Sequence, residues 1–269
     1  MEIELGGSSR RGSAGPVNED ALFYPGGPGA AITPTQIAAH GRLLLVADGQ
    51  GGDAAAEIVR ELAAHYYAQV GANAAENLRR AIHETNARVF EQRKETHGHK
   101  AGTGAALVAV ALKHDLLVVA NIGTCRAYLL RAGRCWPLTR DHVREDGSPS
   151  RRMAISPYLD PDIFLPLALA DGDRVLLCSD GVSAAINDEA EWVRAAGRST
   201  PDASAEALIA AALAAGSQED MSVIAATVKA SRPEGRLSRG QQAVVLLLGL
   251  LALFLLTWFI LELWWFFTA

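Results

Sequence analysis

The chain has 269 residues, a hydrophobic content of 49% and a formal net charge of −5. This length and apolar content suffice for one large domain, or two small ones, with a substantial core. Mild acidity without a dense run of Lys and Arg argues against a nucleic-acid-binding protein, and three scattered cysteines fit a reducing compartment better than a disulfide framework or a zinc site.

Short apolar segments bounded by turn residues predict strands over much of the chain. The predicted strands are 21–25, 42–47, 105–112, 115–122, 125–133, 174–179 and 221–228. The tripeptides at 113–115 and 131–133 are spaced like hairpin turns and indicate antiparallel pairing. Apolar spacing and composition predict helices at 54–70, 74–94, 188–196 and 202–215. Strands clustered around two consecutive helices indicate an α+β fold rather than a regular β-α alternation.

The C-terminal segment differs in kind from the rest. Residues 243–261 carry no charge and are about as long as a helix must be to cross a bilayer. A buried core helix is the alternative, but such a helix normally has a polar face, and this segment has none. The aromatic residues at 264–267 suit the far membrane interface. We therefore expect a transmembrane helix.

Basic residues stand on one side of this span only. Arg232, Arg236 and Arg239 precede it and nothing basic follows, so the positive-inside rule places the N-terminal part in the cytoplasm. The prediction is a single-pass, tail-anchored membrane protein. Its expected parts are a soluble domain at 1–230, a linker at 231–241 and an anchor at 242–269.

Carboxylates mark four predicted strand ends. Asp48 and Asp180 each follow an apolar strand and precede a glycine, while Asp220 and the pair Glu19–Asp20 stand directly before strands. Each Asp-Gly alone commonly marks a turn, and that interpretation stays open for any single one. If the ends converge, however, the grouped charges need a hard divalent cation such as Mg²⁺ or Mn²⁺. The glycines would then let backbone carbonyls and waters approach the metal.

Seven segments together resemble the metal-dependent type 2C serine/threonine protein phosphatase family in its bacterial form. In chain order they are VNEDA (17–21), VADGQGG (46–52), GTGAALV (102–108), NIGTCRAYLLRAG (121–133), LTRDH (138–142), LLCSDGV (176–182) and EDMSV (219–223). The resemblance implies a sandwich of two antiparallel sheets flanked by helices on both faces. It also implies a centre of two Mn²⁺ or Mg²⁺ ions at one end of that sandwich.

The resemblance also assigns roles within that centre. Glu19 and the Gly49 carbonyl would bind one ion, and Asp48 would bridge both. Asp180 and Asp220 would hold the second ion, with Asp20 acting through water. Asp48, Asp180 and Asp220 are thus the implied catalytic residues, and a metal-activated water would attack the phosphorus.

The sequence departs from the family pattern at four points. Gly15 stands where the family has an arginine that grips the substrate phosphate, and Arg10, Arg11 or the pair Arg151–Arg152 are possible substitutes. Thr124 replaces the aspartate that binds a third metal. Met221 follows Asp220 where an asparagine is usual, and the flap between the LTRDH and LLCSDGV segments is short.

Three functions are consistent with these features. The leading hypothesis is a membrane-tethered phosphatase that hydrolyses phosphoserine and phosphothreonine in proteins and has no nucleic-acid partner. The first alternative is a catalytically impaired module that binds phosphoproteins as a regulator or scaffold at the membrane. The second is a hydrolase of small phosphate esters. Of the softer candidates, His142 is expected to order a turn, and Cys125 and Cys178 are expected to pack in the core.

Overall fold

Two antiparallel sheets of five strands each form the centre of this computed structural model, which describes residues 1–69, 73–97 and 103–230. The first sheet has the order β1 (Glu2–Arg10), β10 (Met221–Lys229), β9 (Arg174–Cys178), β6 (Arg126–Arg131) and β7 (Arg134–Pro137). The second has the order β2 (Asp20–Phe23), β3 (Arg42–Gln50), β4 (Gly104–Lys113), β5 (Leu116–Ile122) and β8 (Asp162–Ala168). The expected pair of antiparallel sheets is confirmed.

Helices cover the outer face of each sheet. The helices of the described residues are α1 (Pro34–His40), α2 (Ala54–Ala68), α3 (Ala74–His97), α4 (Asp180–Ser183), α5 (Glu189–Ala196) and α6 (Pro201–Ala214). Buried side chains of α2 and α3 pack on the second sheet, and those of α5 and α6 pack on the first. The α+β sandwich with helices on both faces is therefore confirmed.

Strand β3 explains why the sandwich strands have continuous apolar sequences. Leu43 and Leu45 pack towards α2 and α3, whereas Leu44 and Val46 pack between the sheets. A strand buried on both faces has no reason to alternate polar and apolar residues. Each fully buried leucine contributes roughly 1.5–3 kcal/mol to folding, so these strands define the core.

Local signals fix where the outer helices begin. The Thr200 hydroxyl accepts a hydrogen bond from the Ala203 amide at 3.2 Å, and Pro201 occupies the first turn of α6. The Asp188 carboxylate accepts from the Ala190 amide at 3.1 Å at the start of α5. These caps satisfy amides that have no partner within the helix.

Within the described residues, each predicted strand and each of the four helices predicted between 54 and 215 is present, with small shifts at the ends. The two predicted hairpin turns are also confirmed, with His114 at φ 57° in one and Gly133 at φ 73° in the other. The predictions missed β1, β7, β8, α1 and α4.

Strands β1 and β8 were missed because two glycines interrupt the apolar pattern of the first and a proline interrupts that of the second. β1 carries Gly6 and Gly7, and a side chain at Gly6 would overlap Asp202 of α6. Pairing with β10 along its whole length compensates for that weak propensity. β8 contains Pro166 and lies at a sheet edge, where proline is tolerated.

The predicted membrane span at 243–261 lies outside the described residues. Within 1–69, 73–97 and 103–230, no helix has both the length and the apolar character to cross a bilayer. Contacts divide the chain into a compact unit Met1–Ala230 and a second unit Ser231–Ala269.

Candidate active site

The acid-bearing strand ends meet at one end of the sandwich. Asp20 of β2 lies directly opposite Asp48 of β3 in the sheet register. Asp180 follows the end of β9, and Asp220 directly precedes β10, the neighbour of β9 in the other sheet. The negative charges of Asp180 and Asp220 both raise the pKa of Asp20. The strand ends that carry these four carboxylates therefore lie close together.

The pKa values of two of these carboxyls, Asp48 and Asp20, are strongly raised. Burial raises the pKa of Asp48 to about 9, with further contributions from the charges of Asp180 and Asp20. Burial likewise raises the pKa of Asp20 to about 7, although the nearby hydroxyls of Ser179 and Ser222 act in the opposite direction. Neither Asp20 oxygen has a hydrogen bond of normal geometry to any described residue. A buried carboxyl is costly when it lacks hydrogen bonds or lies beside like charges, so both aspartates destabilise the metal-free site.

The other acidic side chains are hydrogen-bonded to the protein. The Glu19 carboxylate accepts from the Gly51 amide at 3.1 Å and the Gly52 amide at 2.8 Å. The Asp220 carboxylate accepts from the amides of Gly12 and Glu19, both at 2.7 Å. These bonds tie the N-terminal loop, the start of β2, the loop after β3 and the start of β10 together around the site.

The site as it stands is not a closed metal cage. Among the residues that the structure describes, no three His, Cys, Asp or Glu side chains are arranged to hold a metal ion. The chemistry of the donors nevertheless fits a hard divalent cation, since all of them are oxygens. The partnerless oxygens of Asp20 and the raised pKa of Asp48 are defects that a positive charge would remove.

The glycines beside the aspartates have a structural role in addition to the access to a metal that the sequence suggested. A Cβ at Gly49 would lie 2.5 Å from the Glu19 carbonyl oxygen. A Cβ at Gly181 would overlap the Asp220 carbonyl oxygen. The missing side chains therefore let two acidic segments approach each other closely, backbone against backbone. Gly51 and Gly52, at φ 85° and 104°, turn their amides towards Glu19.

An open cleft of about 770 Å³ lies over the carboxylates. Its walls are the loop at 14–17, the segment at 48–50, the start of α4, residues 215–220 and two flap residues, Pro149 and Arg152. The Arg152 guanidinium donates to the Gln50 side chain. Its positive charge also opposes the rise in the pKa of Asp48.

Polar contacts of Arg126 and His142 anchor the segment that follows β7. Arg126 makes a two-pronged ion pair with Asp141, at 2.9 and 2.8 Å. His142 accepts from the Gly123 amide at 3.0 Å through Nδ1 and contacts Asp162 at 3.0 Å through Nε2. The prediction that His142 orders a turn is confirmed, because both of its ring nitrogens are engaged in these contacts.

Cys125 and Cys178 are fully buried, as expected for packing residues. Burial raises the pKa of each thiol above its usual range.

The three positions at which the sequence departs from the family pattern, Gly15, Thr124 and Met221, differ in their structural surroundings. Gly15 lines the cleft but offers no side chain to a ligand. The Thr124 hydroxyl donates to the Asp180 carboxylate at 3.0 Å, so threonine supports a ligand candidate where the family pattern has an acid. Met221 is buried in the core beneath α6.

Two buried polar residues of α3 were not anticipated. Arg93 contacts Asp53 at 3.0 Å and Glu57 at 3.2 Å, next to the loop that carries Gly51 and Gly52. Asn86 donates to the Ser156 carbonyl in the flap at 2.8 Å. Both continue the apolar stripe that begins at Leu78 and Ile82, and a polar residue on such a stripe is the signal that would have revealed them.

The sequence pattern of protein phosphatase 2C matches residues 9–156. The chain belongs to the protein phosphatase 2C family. It is 29% identical over 251 residues to the serine/threonine protein phosphatase PstP of Mycobacterium tuberculosis, across 85% of this chain and 45% of that protein. It thus spans less than half the length of that relative.

Solved structures of family members share the fold. The catalytic domain of PstP, solved in complex with two manganese ions, superposes with a TM-score of 0.70 at 26% identity, covering 85% of this chain and 99% of that one. The phosphatase MsPP of Mycobacterium smegmatis, solved in complex with cacodylate, gives a TM-score of 0.68 at 26% identity, covering 84% and 98%.

Proposed function

We propose that this chain hydrolyses phosphoserine and phosphothreonine in proteins with the aid of two Mn²⁺ or Mg²⁺ ions. The observation that carries the proposal is the meeting of Asp20, Asp48, Asp180 and Asp220 beneath one open cleft. Related serine/threonine phosphatases, one of them solved with two manganese ions, support both the reaction and the cofactor.

The ligands follow from position in the cluster. Asp48, Asp180 and Asp220 line the cleft and would hold the ions, together with Glu19 and the Gly49 carbonyl. Asp20 lies opposite Asp48 in the sheet and would act on the ions through water. When bound, such ions supply Lewis-acid stabilisation of phosphoryl charge and lower the pKa of water. Loss of their protons makes the Asp48 and Asp20 carboxylates available as ligands.

Hydrogen bonds from the protein orient the carboxylates that would bind the ions. Backbone amides fix Glu19 and Asp220, and the Thr124 hydroxyl fixes Asp180. These bonds hold the oxygens in place before a substrate arrives, and such preorganisation lowers the cost of reaching the transition state. An open cleft would admit a side chain presented on the surface of another protein, as the proposed phosphoprotein substrate requires.

We also propose that the protein is anchored in a membrane by the helix predicted at 243–261, with the phosphatase domain in the cytoplasm. The uncharged composition of that segment and the arginines before it support this topology. Substrates would then be phosphoproteins near the inner membrane surface.

An impaired, phosphoprotein-binding module is the second candidate. The observation that favours it is the pair of departures at Gly15 and Thr124, which remove a cation and an acid from the family pattern. Turnover separates the two functions, because a binding module would bind Mn²⁺ and phosphopeptide without releasing phosphate.

The test is release of inorganic phosphate by the detergent-solubilised full chain, from a phosphothreonine peptide and from a small aryl phosphate. We expect Mn²⁺-dependent release from the peptide and its loss in Asp180→Asn. Asp171→Asn, at an exposed carboxylate remote from the cleft, is the matched control. Peptide binding without turnover would favour the scaffold, and turnover of the aryl phosphate alone would favour a small-ester hydrolase.

A further inference from the structure

The cleft is strongly acidic. Its acidic lining residues are Glu19, Asp48, Asp180, Glu219 and Asp220. Among the described residues that line it, Arg152 is the only basic one. A phosphate monoester carries up to two negative charges, so an oxyanion entering this cleft meets repulsion everywhere except at the metal ligands, once they are loaded, and at Arg152.

The backbone of Arg152 is held firmly. The next residue, Met153, is fully buried and pairs with Ala105 in both directions, with N–O distances of 2.8 and 3.3 Å. Beyond it, the Ala154 amide donates to the buried Asn86 side chain at 2.8 Å. Because Asn86 also binds the Ser156 carbonyl, the flap is fastened to α3 directly after Arg152. The guanidinium is therefore presented to the cleft from a fixed point.

The neighbouring arginines are committed elsewhere. Arg151 pairs with Asp162 at 2.9 Å, away from the cleft. Arg11 donates to the Pro16 carbonyl at 2.8 Å and does not line the cleft. Arg152 contacts the neutral amide of Gln50. That contact positions the guanidinium without neutralising it, so its charge stays available for an anion.

We propose that Arg152 binds the phosphoryl group of the substrate, as the cationic arm of a cleft that has no side chain at Gly15. This proposal rests on the proposed function. The planar guanidinium offers two parallel N–H donors to two phosphoryl oxygens, a geometry that lysine does not reproduce.

Replacing Arg152 by alanine is expected to change the kinetic constants and the phosphate affinity in a specific way. A charge-assisted hydrogen bond to phosphate is lost, which lowers kcat/KM about 10- to 100-fold. If the contact exists already in the bound ground state, KM rises and the affinity for inorganic phosphate falls by a similar factor. Arg152→Lys recovers only part of the loss. Arg151→Ala is the matched control on the same flap and changes each constant less than about threefold.

A variant at position 15 tests whether an arginine placed there can take over the phosphate-binding role of Arg152. A side chain built on Gly15 meets its nearest atom, the Val17 carbonyl oxygen, at 3.6 Å, an ordinary contact. An arginine introduced there has access to the same cleft. We expect Gly15→Arg to restore at least part of the phosphate affinity when it is combined with Arg152→Ala.

The experiment measures phosphopeptide kinetics with Mn²⁺, and inorganic phosphate binding by calorimetry, on the full chain and these variants. Unchanged kcat/KM and unchanged phosphate affinity in Arg152→Ala would overturn the proposal. If the wild type shows no turnover, the proposed function fails, while phosphate binding still tests Arg152. In that case a weaker phosphate affinity in Arg152→Ala supports its role, and no phosphate binding by the wild type overturns it.

Discussion

Replacing Asp48 by asparagine is expected to stabilise the metal-free protein. The pKa of this carboxyl is raised from 3.8 to about 9, mainly by burial and then by the charges of Asp180 and Asp20. Between pH 4 and pH 9 the unfolded chain therefore binds fewer protons at this position than the folded one. Stability accordingly falls as the pH rises through that window, and the fall levels off above about pH 9.

The magnitude follows from the same values. The ordinary pKa of the carboxyl, 3.8, lies about 3 pH units below pH 7. At 1.36 kcal/mol per unit, keeping Asp48 protonated in the folded protein lowers the free energy of unfolding at pH 7 by about 4 kcal/mol. Asparagine has nearly the same shape and never ionises, so Asp48→Asn removes that cost. For a domain of this size, a gain of 2–4 kcal/mol corresponds to roughly 5–15 °C in Tm.

Thermal unfolding of wild type and Asp48→Asn with EDTA, from pH 5 to pH 9, tests this reasoning. We expect the Tm of the wild type to fall across the series and the Tm of the variant to fall less. Asp141→Asn is the control, because Asp141 pairs with Arg126 and its loss destabilises the fold at every pH. A wild-type Tm that is flat over the series, or a loss of stability in Asp48→Asn like that of Asp141→Asn, would refute the argument.

Three further substitutions test the surroundings of the site. Thr124→Asp replaces the donor to Asp180 with a second negative charge, so we expect a lower Tm in EDTA and a larger rise in Tm on adding Mn²⁺. Arg93→Ala leaves Glu57 without its partner behind the Gly51–Gly52 loop; unfolding by urea should show a loss of about 2–4 kcal/mol, against little change for the exposed Arg60→Ala. Gly181→Ala introduces a methyl group where the Asp220 carbonyl lies, and calorimetry should show weaker Mn²⁺ binding. Gly15→Ala, whose methyl group makes only an ordinary contact, should bind Mn²⁺ normally.

The strands and helices with strong local signals were predictable. β3 and β4 contain continuous apolar stretches, 43–47 and 105–112, because those stretches are buried on both faces, and α3 has a clear apolar stripe. The missed β1 and β8 depend on partners remote in sequence, Met221–Lys229 for the first and β5 for the second. Such pairing leaves little trace in a segment that carries glycines or a proline.

The acidic residues of the site could be predicted from the sequence, but the residues that position the rest of the site could not. Asp48 and Asp180 are conspicuous because a carboxylate at the end of an apolar strand has no packing role. By contrast, nothing in the local sequence separates Arg152 from Arg151, although one faces the cleft and the other faces Asp162. That difference is set by Met153 and Asn86, which fix the flap through tertiary contacts.

The most direct test of the account is a calorimetric titration of the full chain with Mn²⁺ at pH 7, in buffers of different ionisation enthalpy. A carboxyl with a pKa of about 9 is protonated at this pH and must lose its proton to bind a cation. We predict binding of two ions with release of about one proton or more, and loss of that release in Asp48→Asn. No Mn²⁺ binding, or binding without proton release, would contradict the claim that these strand-end carboxylates form the metal centre.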